Sequence, residues 1–232
     1  LGHAGEFFDE ILKQRHADLP APLTMSDALS SNNVTQLPIK QAFCNAHSRR
    51  LFFDLESLYP KDIEWLLETY GRIWENEDLI NNRGYDNDQR LTFHQKHSLP
   101  AMEQLKQWAL KKQASDVFEE HSALGKAVKY FLKHYDKLIL FCVEPGALID
   151  NNRMEEKLKI SIRGRRTSHF YKTAVGAGVA NVLISLIATT DQANENIYEY
   201  LQALQKNKEL VKQDAAAWLP WSFRATLAEK SK

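Results

Sequence analysis

"LTMSDAL" (Leu23–Leu29) and "IKQAFCNAH" (Ile39–His47) are the two short apolar segments whose reading decides the fold. The first is apolar up to Ser26, presents Asp27, and turns polar at "SSNN" (30–33), which predicts a buried strand that ends in a turn. The second is a strand candidate that passes into "SRRLFFDLESLY" (48–59), whose apolar spacing is helical. Upstream, Phe7, Phe8, Ile11 and Leu12 share one side of a predicted amphipathic helix over residues 3–15, stopped by "LPAP" at 19–22. Helix, strand, strand and helix within residues 1–57 predict an α/β fragment with parallel character. An acid at the carboxyl end of such a strand stands where open α/β sheets place ligands and metals. An Asp that caps its own turn looks the same in sequence, so both readings of Asp27 stand.

From Pro60 the texture changes. Residues 60–80, 99–120 and 122–143 all have a helical period, and the third places Leu124, Val128, Phe131, Tyr135 and Leu138 on one stripe. They predict an all-helical block closed by "EPGA" at 144–147, with a polar, mobile loop at "NNRGYDNDQR" (81–90). The last part, 147–232, predicts helices from Ala177 to Thr190 and over 196–210, then a terminal "AAAWLPWSF" (215–223). No internal repeat is present.

Thirty basic and 30 acidic residues cancel, and 44% of the chain is hydrophobic, so it is a globular protein and not a disordered tail. Zero net charge argues against an indiscriminate coat for nucleic acid, while local basic patches can still hold phosphate. Cys44 and Cys142 lie far apart in apolar surroundings, which predicts reduced core thiols. No run approaches the ~18 apolar residues of a membrane span, and "LGHAGEFFDE" does not read as a secretory signal. The expectation is a cytoplasmic protein without a membrane partner.

Two constellations carry chemistry. In "IDNNRMEEKLK" (149–159), Asp150, Asn151 and Asn152 are N-cap material, and Glu155 follows Asn152 by three residues. Glu155 therefore reads either as part of a capped helix start or as a first-turn carboxylate aimed at a metal or phosphate. Directly after it, Lys157, Lys159, Arg163, Arg165 and Arg166 form either a solvated face or a surface that tracks a phosphate backbone. The alternation in "KISIRGRR" and the following His169, Phe170 and Tyr171 suit the latter, with an aromatic ring for a base. Acids that can hold Mg²⁺ beside cations that can hold phosphate describe phosphoryl transfer on nucleic acid. His94 and His97 have no cysteine beside them and read as core or surface histidines, not zinc ligands. "GAG" at 176–178 reads as close packing or a helix start, and no Ser/His/Asp arrangement is recognisable.

Taken together, "CNAHSRRLFFDL" (44–55), "SALGKAVKYFLKH" (122–134), "IDNNRMEEKLK" (149–159), "GRRTSHFYKTAVGAGVANVLISLIATT" (164–190) and "LPWSF" (219–223) resemble the C-terminal catalytic part of bacterial transposases of the insertion sequence 66 family. The resemblance runs over roughly residues 20–223. It implies an α/β, mainly helical fold: a partial ribonuclease-H-like core (1–57) lacking its first strands, an all-helical insertion (58–146), and a segment carrying the glutamate helix, the basic run and C-terminal helices (147–232). Such transposases use an Asp-Asp-Glu triad to hold two divalent ions, Mg²⁺ or Mn²⁺. Asp27 matches the second aspartate and Glu155 the glutamate, each as catalytic residue and metal ligand.

The same resemblance assigns Arg49, Arg50, Asn151, Asn152, Lys159, Arg163, Arg165 and Arg166 to DNA binding and His47 to positioning. Glu156 stands where the family usually shows arginine. The first aspartate falls upstream of residue 1, so the expectation is the C-terminal portion of a longer transposase, with an incomplete two-metal site and an uncovered sheet edge and apolar face, met by self-association or by a rearranged packing of the remaining strands. The implied partners are DNA, as transposon ends and target, a second copy of the chain, and accessory proteins of the element. The other readings are a non-catalytic DNA-binding or assembly remnant and a metal-dependent nuclease of the same general fold.

Overall fold

β1 (Leu23–Ser26) and β2 (Lys40–Phe43) pair in parallel, with Leu23 opposite Lys40 and Ser26 opposite Phe43. They form a two-stranded sheet, and the other regular elements among the described residues are helices. The computed structural model describes residues 4–29, 37–115, 119–167 and 171–230, with the side chains of residues 4, 160, 161, 165 and 230 outside that description. The predicted "SSNN" turn lies outside it as well. The chain divides into two compact units, residues 1–152 and 153–232.

In the first unit α1 (Ala4–Lys13) precedes the sheet, and α2 (Asn45–Phe53) leaves β2 after a single residue, Cys44. The Cys44 N–H still donates to the Ser26 carbonyl (2.9 Å), so the strand ladder runs directly into the helix start. α3 (Pro60–Arg83), α4 (Asn87–His97), α5 (Leu99–Gln113) and α6 (Ala123–Leu138) follow. Pro60 opens α3, where its missing N–H costs nothing. Gly84 closes that helix at φ 63, the left-handed conformation that glycine adopts without a Cβ penalty.

The expected polar loop at 81–90 shrinks to the turn Gly84–Asp86. The Asp86 carboxylate accepts the N–H groups of Asp88 and Gln89, and the Gln89 side chain accepts the Asp86 N–H, a complete capping box that starts α4 within a sequence too polar to show an apolar period. At the start of α6, Gly125 passes so close to the Glu119 and Glu120 carbonyls that a Cβ would overlap them.

The core of this unit is built where α2, α3, α5 and α6 meet. Phe52, Leu66, Tyr70, Leu105 and Phe131 are each at most 1% exposed, with Val128, Tyr135 and Leu138 of the expected α6 stripe buried among them and Leu124 at the edge. Phe52 sets its ring edge-on to Trp108 and Phe131 at 5.9 and 6.3 Å. Burial of such aromatic and aliphatic side chains contributes roughly 1.5–3 kcal/mol each. Both cysteines are reduced and buried, as expected. Burial raises the Cys142 thiol to about 12 and also pushes the Cys44 thiol up.

The second unit contains α7 (Asn152–Thr167), α8 (Ala174–Gln192), α9 (Ile197–Lys206), α10 (Lys208–Gln213) and α11 (Phe223–Lys230). Thr173 caps α8 through the Gly176 N–H (3.0 Å), so "GAG" is a helix start. "LPWSF" is a turn that delivers Phe223 against Tyr200, with ring centroids 5.1 Å apart, and the Tyr200 hydroxyl donates to the Trp218 carbonyl (2.9 Å). Tyr200, Ala203, Trp218 and Phe223 form this unit's small core.

α8 corrects one expectation. At 19 residues it is long and apolar enough, by length and composition, to cross a membrane. Its Ser, Thr, Asn and Gly residues interrupt the apolar run in sequence, yet no charged side chain falls between Lys172 and Asp191.

Candidate functional site

Asp27 lies immediately after β1, at the carboxyl end of the parallel pair. Its Oδ1 accepts the Leu29 N–H (3.3 Å), and Ala28 between them has φ 63, a left-handed conformation that a residue with a Cβ adopts at a cost. Residues held in such sparsely populated backbone regions cluster at active sites, ligand clamps and switch regions. Tyr130 of α6 is within electrostatic reach: burial raises its phenol, and the charges of Cys44 and Asp27 add to the rise.

A second strand of the site comes from the segment that opens α7. Asn45, fully buried at the N-terminus of α2, receives that segment: its backbone N–H donates to the Ile149 carbonyl (3.1 Å), and its Nδ2 donates to the carbonyls of Leu138 (2.9 Å) and Ile149 (3.2 Å). Asn151 is thereby brought to Cys44. Burial raises that thiol, while the backbone N–H groups of Asn151, His47 and Ala46 oppose the rise. His47 itself sits half-buried in the first turn of α2.

Asp150 gathers three donors: the Trp74 indole N–H (3.0 Å), the Asn152 N–H (3.0 Å) and the Asn152 Nδ2 (2.9 Å). The helix start expected at Asn152 is therefore capped from Asp150. Because Asn152 is already the first helical residue, Glu155 stands one position beyond the glutamate of a capping box.

Between α2 and α3 lies an open cleft of about 850 Å³. α2 supplies Ala46, Arg49, Arg50 and Phe53, spaced i, i+3, i+4 and i+7 on one helix face. Asp54 and Asn152 also line it, and Gly71 and Trp74 come from one face of α3. The Arg49 guanidinium sits 5.7 Å over the Phe53 ring. Neither Arg49 nor Arg50 is ion-paired among the described residues. Sequence reading selected the two arginines, and Asp150 as a helix cap, and missed Phe53 and Trp74. The i+4 spacing of Arg49 and Phe53 was the one available signal; Trp74 comes from a different helix.

Glu155 is half-buried in the first turn of α7, in the second unit, whereas Asp27 belongs to the first. The alternation seen in "KISIRGRR" is not that of a strand, because α7 runs through it to Thr167. In a helix, Lys159, Arg163 and Arg166 fall at i, i+4 and i+7, and all three are exposed on one stripe without an ion pair among the described residues. Lys157 is turned to other use, paired with Asp191 of α8. Arg165 is helical in backbone, its side chain outside the description, and His169 and Phe170 lie outside the described residues. Among the described residues no group of three or more His, Cys, Asp or Glu side chains is placed to hold a metal ion.

One arrangement that sequence did not show is a chain of Ser98, His94 and Glu77. Ser98 Oγ lies 2.9 Å from His94 Nδ1, and His94 Nε2 lies 3.0 Å from Glu77 Oε2. Ser98 and His94 are fully buried, so the chain has no access to substrate and serves as a clamp between α3, α4 and α5. His94 is thus a core histidine, as expected.

The comparisons with known proteins agree with the resemblance. The Transposase IS66 family model matches residues 3–179. The uncharacterized protein y4jD of Sinorhizobium fredii (strain NBRC 101917 / NGR234) is 30% identical over 194 residues, covering 81% of this chain and 37% of that protein. A second uncharacterized protein of the same strain, y4hP, is 29% identical over 167 residues, covering 66% of this chain and 29% of its own length. The chain thus spans roughly a third of the length of the curated relatives it matches. No solved structure matches. With the family model reaching from α1 into α8, and so across the strand-end acid, the α2 arginines and the basic face of α7, the chain belongs to the transposase IS66 family.

Proposed function

We propose that this chain is part of a DNA transposase that performs metal-dependent cleavage and strand transfer, with Asp27 and Glu155 as two of its acids. The observation that carries the reading is Asp27: a carboxylate at the carboxyl end of a parallel strand pair, next to a residue held at φ 63, in a member of a transposase family. The two strands, with α1 and α2, are read as a partial ribonuclease-H-like core over residues 1–57, and α3 to α6 as the insertion that interrupts it.

Two carboxylates are hard oxygen donors of the kind Mg²⁺ and Mn²⁺ take, but they fall short of a complete cage, in keeping with the absence of a three-residue group among the described residues. Divalent ions in such sites activate an attacking oxygen and stabilise the leaving one. The residues of this chain do the holding. Arg49 and Arg50 on α2 and Lys159, Arg163, Arg165 and Arg166 on α7 take DNA phosphates, which fixes the register of the strand and carries no sequence information. Asn151 and Asn152 join them in holding the DNA, and His47 is a positioning residue.

The test is a strand-transfer reaction with the longest polypeptide encoded by the reading frame, Mn²⁺ or Mg²⁺, a labelled oligonucleotide of the element's end and plasmid target. Joined product that disappears in Glu155→Gln, with DNA binding kept, supports the reading. Binding without cleavage or joining in the unaltered polypeptide favours instead a non-catalytic DNA-binding or assembly role.

A further inference from the structure

The geometry points to the cleft between α2 and α3 as a receptor for one unpaired nucleotide of a DNA strand, its phosphate on Arg49 and Arg50 and its base against Trp74 and Phe53. The inference rests on the DNA reading and goes beyond it, because backbone contacts alone need neither the aromatic rings nor a concave site.

Three features select this ligand. In a chain of zero net charge, two arginines without ion-pair partners among the described residues line one cavity whose lining holds a single carboxylate, Asp54. That balance suits a phosphodiester. Next, two aromatic side chains share the same cavity. Trp74 is fixed in the wall by its indole N–H bond to Asp150, and Phe53, half exposed, already carries the Arg49 guanidinium against its ring. Stacking on an aromatic ring requires a base face, which a paired duplex does not offer and an unpaired nucleotide does. Last, Gly71 leaves the α3 wall open: a Cβ there would meet nothing within 4 Å. Glycine inside a 24-residue helix costs up to about 1 kcal/mol relative to alanine, and here the space it leaves belongs to the cleft. A volume of about 850 Å³ is within the range of ligand pockets and admits a base together with its phosphate.

The experiment uses the whole chain and two labelled duplexes of the same sequence, one fully paired and one with a single unpaired 2-aminopurine nucleotide. Affinity is read by fluorescence anisotropy and stacking by the quenching of 2-aminopurine. The unaltered protein is expected to bind the second duplex about tenfold more tightly and to quench its probe, in line with the stacking contribution of one base. Gly71→Leu fills the cleft from a wall with room for it, and Trp74→Leu removes the platform; each should erase the preference and the quenching while binding to paired duplex stays. Because a Cβ at Gly71 meets nothing within 4 Å, Gly71→Leu keeps the test independent of any loss of folding when the Trp74–Asp150 bond is removed. Equal affinity for the two duplexes, or a preference that survives both substitutions, overturns the nucleotide pocket and leaves DNA binding intact. Failure to bind either duplex overturns the DNA reading together with the pocket.

Discussion

Replacing Glu77 by glutamine should unclamp three helices of the first unit, and the loss should fade in acid. The Glu77 side chain, 13% exposed, accepts from Arg90 (2.6 Å) and meets His94 Nε2 (3.0 Å), while His94 reaches Ser98 at the junction of α4 and α5. Burial alone would push the Glu77 carboxyl up, but the hydrogen bonds and charges of His94 and Arg90 outweigh it and bring it from 4.5 down to about 2. A carboxylate whose folded pKa lies below its unfolded value contributes stability that is complete above about 4.5 and lost as pH falls toward 2. At about 1.4 kcal/mol per pH unit, that displacement is worth about 3 kcal/mol, similar to the cost of breaking a buried charge pair from one side.

Urea unfolding followed by far-UV circular dichroism should show Glu77→Gln about 3 kcal/mol less stable at pH 7 in the transition of residues 1–152. The gap should narrow steadily between pH 4.5 and 3. Parallel stability curves across that range, or a substitution costing less than about 0.5 kcal/mol at pH 7, would refute the reasoning.

Three further outcomes follow from particular residues. Ala28→Gly removes a Cβ from the left-handed region and should stabilise the first unit by up to about 1 kcal/mol, read as a higher urea midpoint; an unchanged midpoint would mean that φ 63 carries no strain. Asn45→Leu leaves the Leu138 carbonyl without its donor and should cost about 2–3 kcal/mol, lowering the melting temperature of the first unit without moving that of the second. Arg163→Ala with Arg166→Ala should weaken DNA binding alike for all sequences and reduce the slope of log affinity against log salt by about two, whereas sequence-selective loss would assign these arginines to base reading.

How much of this was legible depends on how local each signal is. "LTMSD" carries its own strand, strand end and acid, and the structure places Asp27 where those five residues put it. The capping box of Asp86 and Gln89 was equally local, yet it lay in a segment so polar that the absence of an apolar period masked it. "KISIRGRR" satisfies a period of two as well as the helical stripe of Lys159, Arg163 and Arg166, and a window that short does not separate the two. Trp74 reaches the cleft by the docking of α3 on α2, sealed by the bond from Tyr70 to Ser48. The clamp of Glu77, His94 and Ser98 is likewise assembled from three helices, so no stretch of sequence contains it.

Asn45 also has a consequence for how the chain tolerates change. One side chain at the start of α2 holds the end of α6, 93 residues away, and the lead into α7, 104 residues away. The whole helical block is therefore a closed loop whose two ends meet at a single amide. Loop-closure entropy grows only logarithmically with length, so lengthening or shortening the block by tens of residues costs little as long as the ends still return to Asn45. Within this family, size variation should accumulate inside the loop, while the knot that ties it, and with it the lead into the Glu155 helix, stays where it is.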